Sequence, residues 1–158
     1  MRAGRGGRGF QFVGTNVLTA APGGSAINYI GTGGENTGFG VAGSLTATGQ
    51  NGWLAVNNGA IFHGGAGTIN MIAQTNGSGA GLDWTSNNSC ICDISFSGPF
   101  SASNFQYGAN LTAAAGVNFA TGAGGSITGV QTGIRAITTT GNVDLSIGSS
   151  ISASSTGI

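Results

Sequence analysis

The chain has 158 residues, 33 of them Gly, with only 5% charged residues, no Lys and a formal net charge of zero. An ordinary soluble domain carries about 7% Gly and about 25% charged residues, so this is not an ordinary globular composition. Intrinsic disorder is disfavoured as well, because it combines low hydrophobicity with high net charge, whereas here mean hydropathy is positive and Ile, Val, Leu and Phe run the whole length.

The opening MRAGRGGRGF holds Arg2, Arg5 and Arg8, and the only other cation is Arg135. From residue 9 onward four acids (Glu35, Asp83, Asp93, Asp144) face that single Arg. No basic stripe extends a nucleic-acid site, so residues 1–9 read as a solvated, disordered leader and no nucleic-acid partner is expected. The segment Phe10 to Ala21 follows positive charge and ends in small residues, as a signal peptide does. Gln11, Gly14, Thr15 and Asn16 break its apolar core, so it is not read as one. No run approaches the ~18 apolar residues of a membrane-spanning helix.

Helix signals are nearly absent, since Gly recurs too often for an amphipathic helix and costs about 1 kcal/mol relative to Ala inside one. Short alternating segments are plentiful. In chain order they are Ser44–Thr48, Leu54–Val56, Thr68–Met71, Cys92–Phe96, Val117–Phe119, Ile134–Ala136, Val143–Ile147 and Ile151–Ala153. Each places apolar residues at every second position, the period of a half-buried strand. Gly, Asn and Ser clusters lie between them and supply turns.

Asn51-Gly52, Asn58-Gly59 and Asn76-Gly77 leave hairpins open. The deciding feature is a repeat: Ser126-Ile127-Thr128-Gly129-Val130-Gln131-Thr132-Gly133-Ile134 aligns with Ser150-Ile151-Ser152-Ala153-Ser154-Ser155-Thr156-Gly157-Ile158. The step from Ser126 to Ser150 is a period in the twenties, which suits one turn of a solenoid. The expected fold is all-β: a right-handed parallel β-helix (β-solenoid) spanning residues 10–158 as a single segment, with roughly six rungs. Stacking explains the composition too. Equivalent residues lie about 4.8 Å apart on successive rungs, so like charges would repel along a ladder while Ser, Thr and Asn do not.

The last third, GSITGVQTGIRAITTTGNVDLSIGSSISASSTGI, carries Thr-Gly-Ile, a short strand, Thr-Gly-Asn-Val-x-Leu-x-Ile-Gly, then Ser-Ile and Thr-Gly-Ile again. Over residues 125–158 it resembles the passenger repeats of bacterial autotransporters and related filamentous-haemagglutinin-type exoproteins. The resemblance implies a non-enzymatic parallel β-helix, exported through the outer membrane and displayed at the bacterial cell surface or secreted, acting as a stalk or adhesin. The implied partner is a host surface protein or glycan. Passengers of this kind usually have few cysteines, close together, as Cys90 and Cys92 are. The chain departs from the family in showing neither a clear signal peptide nor a translocator barrel, and it stops in mid-repeat at Gly157-Ile158; it is therefore expected to be a fragment of a longer chain.

The sequence offers no catalytic, cofactor or metal site. Cys90 and Cys92 on one strand share a face with Cα atoms near ~6.5–7 Å, the upper limit for a disulfide. A labile disulfide and half of a metal site are open readings, and two small side chains in a strand core is the preferred one. Asp83, Asp93 and Asp144 would serve glycan cleavage only if stacked on neighbouring rungs, where a strict repeat of the Ser126-to-Ser150 spacing does not put them. They read as turn or solvated residues. His63 has no nucleophile motif beside it and reads as a corner residue. Gly31–Gly34 and Gly122–Gly125 lack the Lys-Ser/Thr of a phosphate cradle and read as turns.

Trp53, Trp84, Phe100, Phe105 and Tyr107 would make a stacking patch for a glycan if exposed, and otherwise fill the core; the core is preferred. The rival functional reading is a phage tailspike-like or polysaccharide-processing β-helix, which needs clustered carboxylates. An ice-binding solenoid needs a regular Thr ladder, and Thr138-Thr139-Thr140 is only a run. Unpaired edges at the two ends invite self-association.

Overall fold

The computed structural model describes residues 10–30, 37–57, 61–86 and 91–158. The leader at residues 1–9, Gly31–Gly34, Glu35, Asn58-Gly59 and Cys90 lie outside them. Among the described residues there is no helix, and every strand pairing is parallel.

Each turn of the coil contributes strand segments to three faces of one 15-stranded sheet. The first turn is β1 (Phe10–Phe12), β2 (Thr15–Thr19) and β3 (Ser25–Ile30). The second is β4 (Thr37–Val41), β5 (Ser44–Gly49) and β6 (Asn51–Asn57), and the third β7 (Ile61–Gly64), β8 (Thr68–Ala73) and β9 (Ala80–Ser86). In the fourth, β10 (Ile91–Ser103) runs through a corner and supplies two faces before β11 (Tyr107–Ala113). In the fifth, β12 (Gly116–Gly122) is followed by β13 (Ser126–Thr138), which again spans two faces. After about five turns β14 (Val143–Ile147) and β15 (Ser150–Thr156) begin the next.

The repeat read from the sequence is the actual register at both its ends, with shifts on either side of Val130, which pairs with Ala153. Ser126 lies beside Ser150, Ile127 beside Ile151 and Thr132 beside Thr156. Other turns are longer, as the pairs Ser25 with Asn51, Thr15 with Ser44 and Ile61 with Asp93 show in increasing order. The corner loops absorb the difference, so the strands stay aligned while the sequence period drifts.

Alternation sends every second side chain inward, where it stacks on its equivalents. On the second face Leu18, Ala47, Met71, Ala102, Ile127 and Ile151 form one such column. On the third, Ile27–Trp53–Leu82–Ala109–Ile134 runs beside Tyr29–Ala55–Trp84–Leu111–Ala136. Large residues in one column sit beside smaller ones in the other, Trp53 next to Ala55 and Trp84 next to Leu82. Such interdigitation of large and small side chains is how protein interiors reach close packing. At the β10 corner Phe96 stacks on Phe100 with centroids 5.4 Å apart, and Phe119 meets both edge-on at 6.3 and 6.2 Å. Each fully buried large apolar side chain contributes about 1.5–3 kcal/mol.

Glycine has a second task besides turning corners. Gly52, Gly81, Gly108 and Gly133 stack at the start of the third face, directly under the inward column of the second. A Cβ on Gly52 would lie 2.6 Å from Met71 Sδ, and one on Gly81 2.7 Å from Ala102 Cβ. On Gly108 and Gly133 it would collide with Ile127 and Ile151. The missing side chains are what let the second and third faces close against each other.

Candidate functional site

With the interior full, function falls to the three outward faces, and they differ in chemistry. The first face carries Asp93, Asn118 and Asp144 in one column across three successive turns. This corrects the expectation drawn from a strict repeat of the Ser126-to-Ser150 spacing. The two turns between these acids are slightly longer than that spacing, which brings Asp93 and Asp144 into line with Asn118 between them. Two rungs put their Cα atoms about 9.6 Å apart. They line an open groove of about 210 Å³ with Ala120 and Ser146. A carboxyl acting as general acid needs burial in an apolar pocket. Asp144 is exposed and Asp93 half-buried, so the groove offers two solvated carboxylates and an amide between them.

The third face handles charge differently. Asp83, Asn110 and Arg135 are successive members of one outward column. Asn110 Nδ2 donates to Asp83 Oδ1 at 2.9 Å, and Arg135 donates to Asn110 Oδ1 at 3.0 Å. The amide joins an anion to a cation two rungs away, with no like charges adjacent. The Arg135 guanidinium also lies 5.8 Å from the centre of the Tyr107 ring. Tyr107 is thereby half-covered, whereas Trp53, Trp84, Phe100 and Phe105 are buried. Four of the five aromatic candidates are core residues.

The second face has no charge among its described residues. One outward row runs Val17–Thr46–Asn70–Ser101–Ser126–Ser150, and the next Thr19–Thr48–Ile72–Ser103–Thr128–Ser152. All are exposed or half-exposed, because the residues between them fill the core. Asp83, Asp93, Arg135 and Asp144 all lie on the other two faces. The hydroxyl rows were invisible before register was known, since their members are scattered from Val17 to Ser152 with irregular period; the run Thr138–Thr140 is not part of them.

The backbone of His63 lies beside Ser95 on the first face, and Cys92 lies beside Val117. Their side chains, and Cys90 altogether, fall outside what is described. At the Gly122–Gly125 corner, Gly124 adopts φ +86°, and a Cβ on Gly125 would strike the Phe100 carbonyl and Ser149 Oγ. That stretch is a turn, with the Ser149 hydroxyl donating to Phe100 O at 2.8 Å beneath it. Among the described residues no three His, Cys, Asp or Glu side chains gather as metal ligands. Among them, too, no helix is long and apolar enough to cross a membrane.

Comparison with protein-family models, with curated proteins and with solved structures finds no match to this chain.

Proposed function

We propose that the chain is a non-enzymatic β-solenoid segment serving as a stalk or adhesin, displayed on the bacterial surface or secreted. The observation that carries the reading is the parallel stack of turns, whose second-face outward rows are neutral and whose third-face column sets an amide between opposite charges. A solenoid is quasi-one-dimensional, each turn contacting only its neighbours, so it gains length and surface by adding turns. The apolar residues of β14 and β15 stay partly open, with Leu145, Ile147, Ile151 and Ala153 partly buried and Val143 40% exposed. A host surface protein or glycan is the partner such a segment would meet, and end-to-end self-association follows from the same open edges. Antibody labelling of the source cells tests the location. Intact cells should label as strongly as permeabilised ones; labelling confined to permeabilised cells would refute display.

A second reading, a polysaccharide-processing β-helix, rests on the groove between Asp93 and Asp144. Inverting glycosidases hold their two carboxyl groups about 6.5–9.5 Å apart. Reducing-end release from a panel of polysaccharides, abolished in Asp93→Asn or Asp144→Asn, would establish it in place of the stalk. No release by the folded wild type removes it.

A further inference from the structure

We propose that the outward second face binds ice. The inference goes beyond the stalk or adhesin reading and stands without it, because it concerns only one face of the folded chain. Thr46 and Thr48 on β5, Ser101 and Ser103 on β10, Ser126 and Thr128 on β13, and Ser150 and Ser152 on β15 repeat one motif, hydroxyl–inward residue–hydroxyl, on four of the six strands of the face, the last three of them adjacent. Neighbouring strands lie about 4.8 Å apart and alternate residues on a strand about 6.6 Å, so the hydroxyls form a two-dimensional mesh. Such a mesh lets many hydroxyls meet many lattice waters together.

Charge decides the occupant. An ion holds its own hydration shell and costs several kcal/mol to strip, which a water lattice cannot compensate. This face carries none, while every described charged side chain lies on the other two faces. Its partner is therefore neutral and periodic. The hydroxyls are also held in place. Thr is stiff about χ1 on a strand, the Ser126 amide donates to Ser101 Oγ at 3.1 Å, and Ser150 Oγ donates to Gly125 O at 3.4 Å. A preordered surface loses little entropy when a lattice forms on it. Val17, Asn70 and Ile72 interrupt the rows without adding charge; methyl groups and an amide are compatible with an ice contact.

The test is thermal hysteresis and inhibition of ice recrystallisation by the purified full chain over a concentration series. Wild type should show a freezing gap and small, unripened crystals. Thr46→Tyr and Thr48→Tyr should each lose most of both effects, while Thr112→Tyr, at an outward position of the third face, should keep them. Circular dichroism confirms that each variant is folded. If the Tyr variants do not fold, Thr128→Lys at an exposed position takes their place and should show the same loss. A folded wild type with neither effect would overturn the proposal, as would equal loss in Thr112→Tyr. Adsorption to microcrystalline cellulose or chitin with no effect on ice would overturn it too, and would assign the face to a neutral glycan.

Discussion

The second and third faces of the solenoid solve the same problem in opposite ways. Stacking places equivalent side chains about 4.8 Å apart, so any charge must reckon with its neighbours above and below. The third face keeps its charges and separates them, with Asn110 accepting from Arg135 and donating to Asp83. The second face has none and presents hydroxyls in register. The difference teaches that sparse charge here is a condition of stacking, and that uncharged surface is gathered on one side.

Beneath these surfaces the third face holds the two buried Trp side chains, Trp53 and Trp84. Trp84→Ala should therefore have the largest effect, about 3–5 kcal/mol from lost burial and the cavity left behind. A urea melt reads it, and a loss below about 1 kcal/mol would mean that the ring does not lie in the interior. Next comes Asn118→Asp on the first face, which would stack three carboxylates in a column. It should cost about 1 kcal/mol, as like charges directly opposite do, and added salt should relieve it. Insensitivity to salt would show that Asp93, Asn118 and Asp144 do not share a column. The smallest effect is expected from Asn110→Ala, which breaks the third-face ladder at a half-exposed site. About 0.5–1 kcal/mol is expected, with the rest of the melt unchanged; a larger loss would make the ladder a structural element and not a surface accommodation.

The strands were largely legible in the sequence because alternation is local. Ser44–Thr48, Val143–Ile147 and Ile151–Ala153 fall on β5, β14 and β15. Register was legible only at the repeat between Ser126 and Ser150, where the turn is short and the shifts around Val130 cancel by Thr132. Elsewhere turn lengths vary with the corner loops, which hid the column of Gly52, Gly81, Gly108 and Gly133. The signal was present: each of these glycines precedes an apolar residue, Trp53, Leu82, Ala109 and Ile134, that enters the core beside it. The candidate surfaces were less legible still. The alignment of Asp93 with Asp144 depends on two turns that each overrun the Ser126-to-Ser150 spacing slightly. The hydroxyl rows depend on the register of six strands at once. β1 and β2 were missed because interrupted apolarity at Phe10–Ala21 resembled a broken leader, while Asn16, which breaks it, sits on β2 and hydrogen-bonds back to Val13 O at 3.2 Å.

Everything on these faces follows from the parallel, in-register stack, and a cross-linking experiment tests that register directly. In a background with Cys90 and Cys92 replaced by Ser, the pair Ser126→Cys and Ser150→Cys places two thiols on adjacent rungs within disulfide reach. Mild oxidation should close this bridge in the monomer and raise Tm, while Ser126→Cys with Ser154→Cys should stay reduced. Equal cross-linking of both pairs, or none of the first, would contradict the stack and the faces built on it.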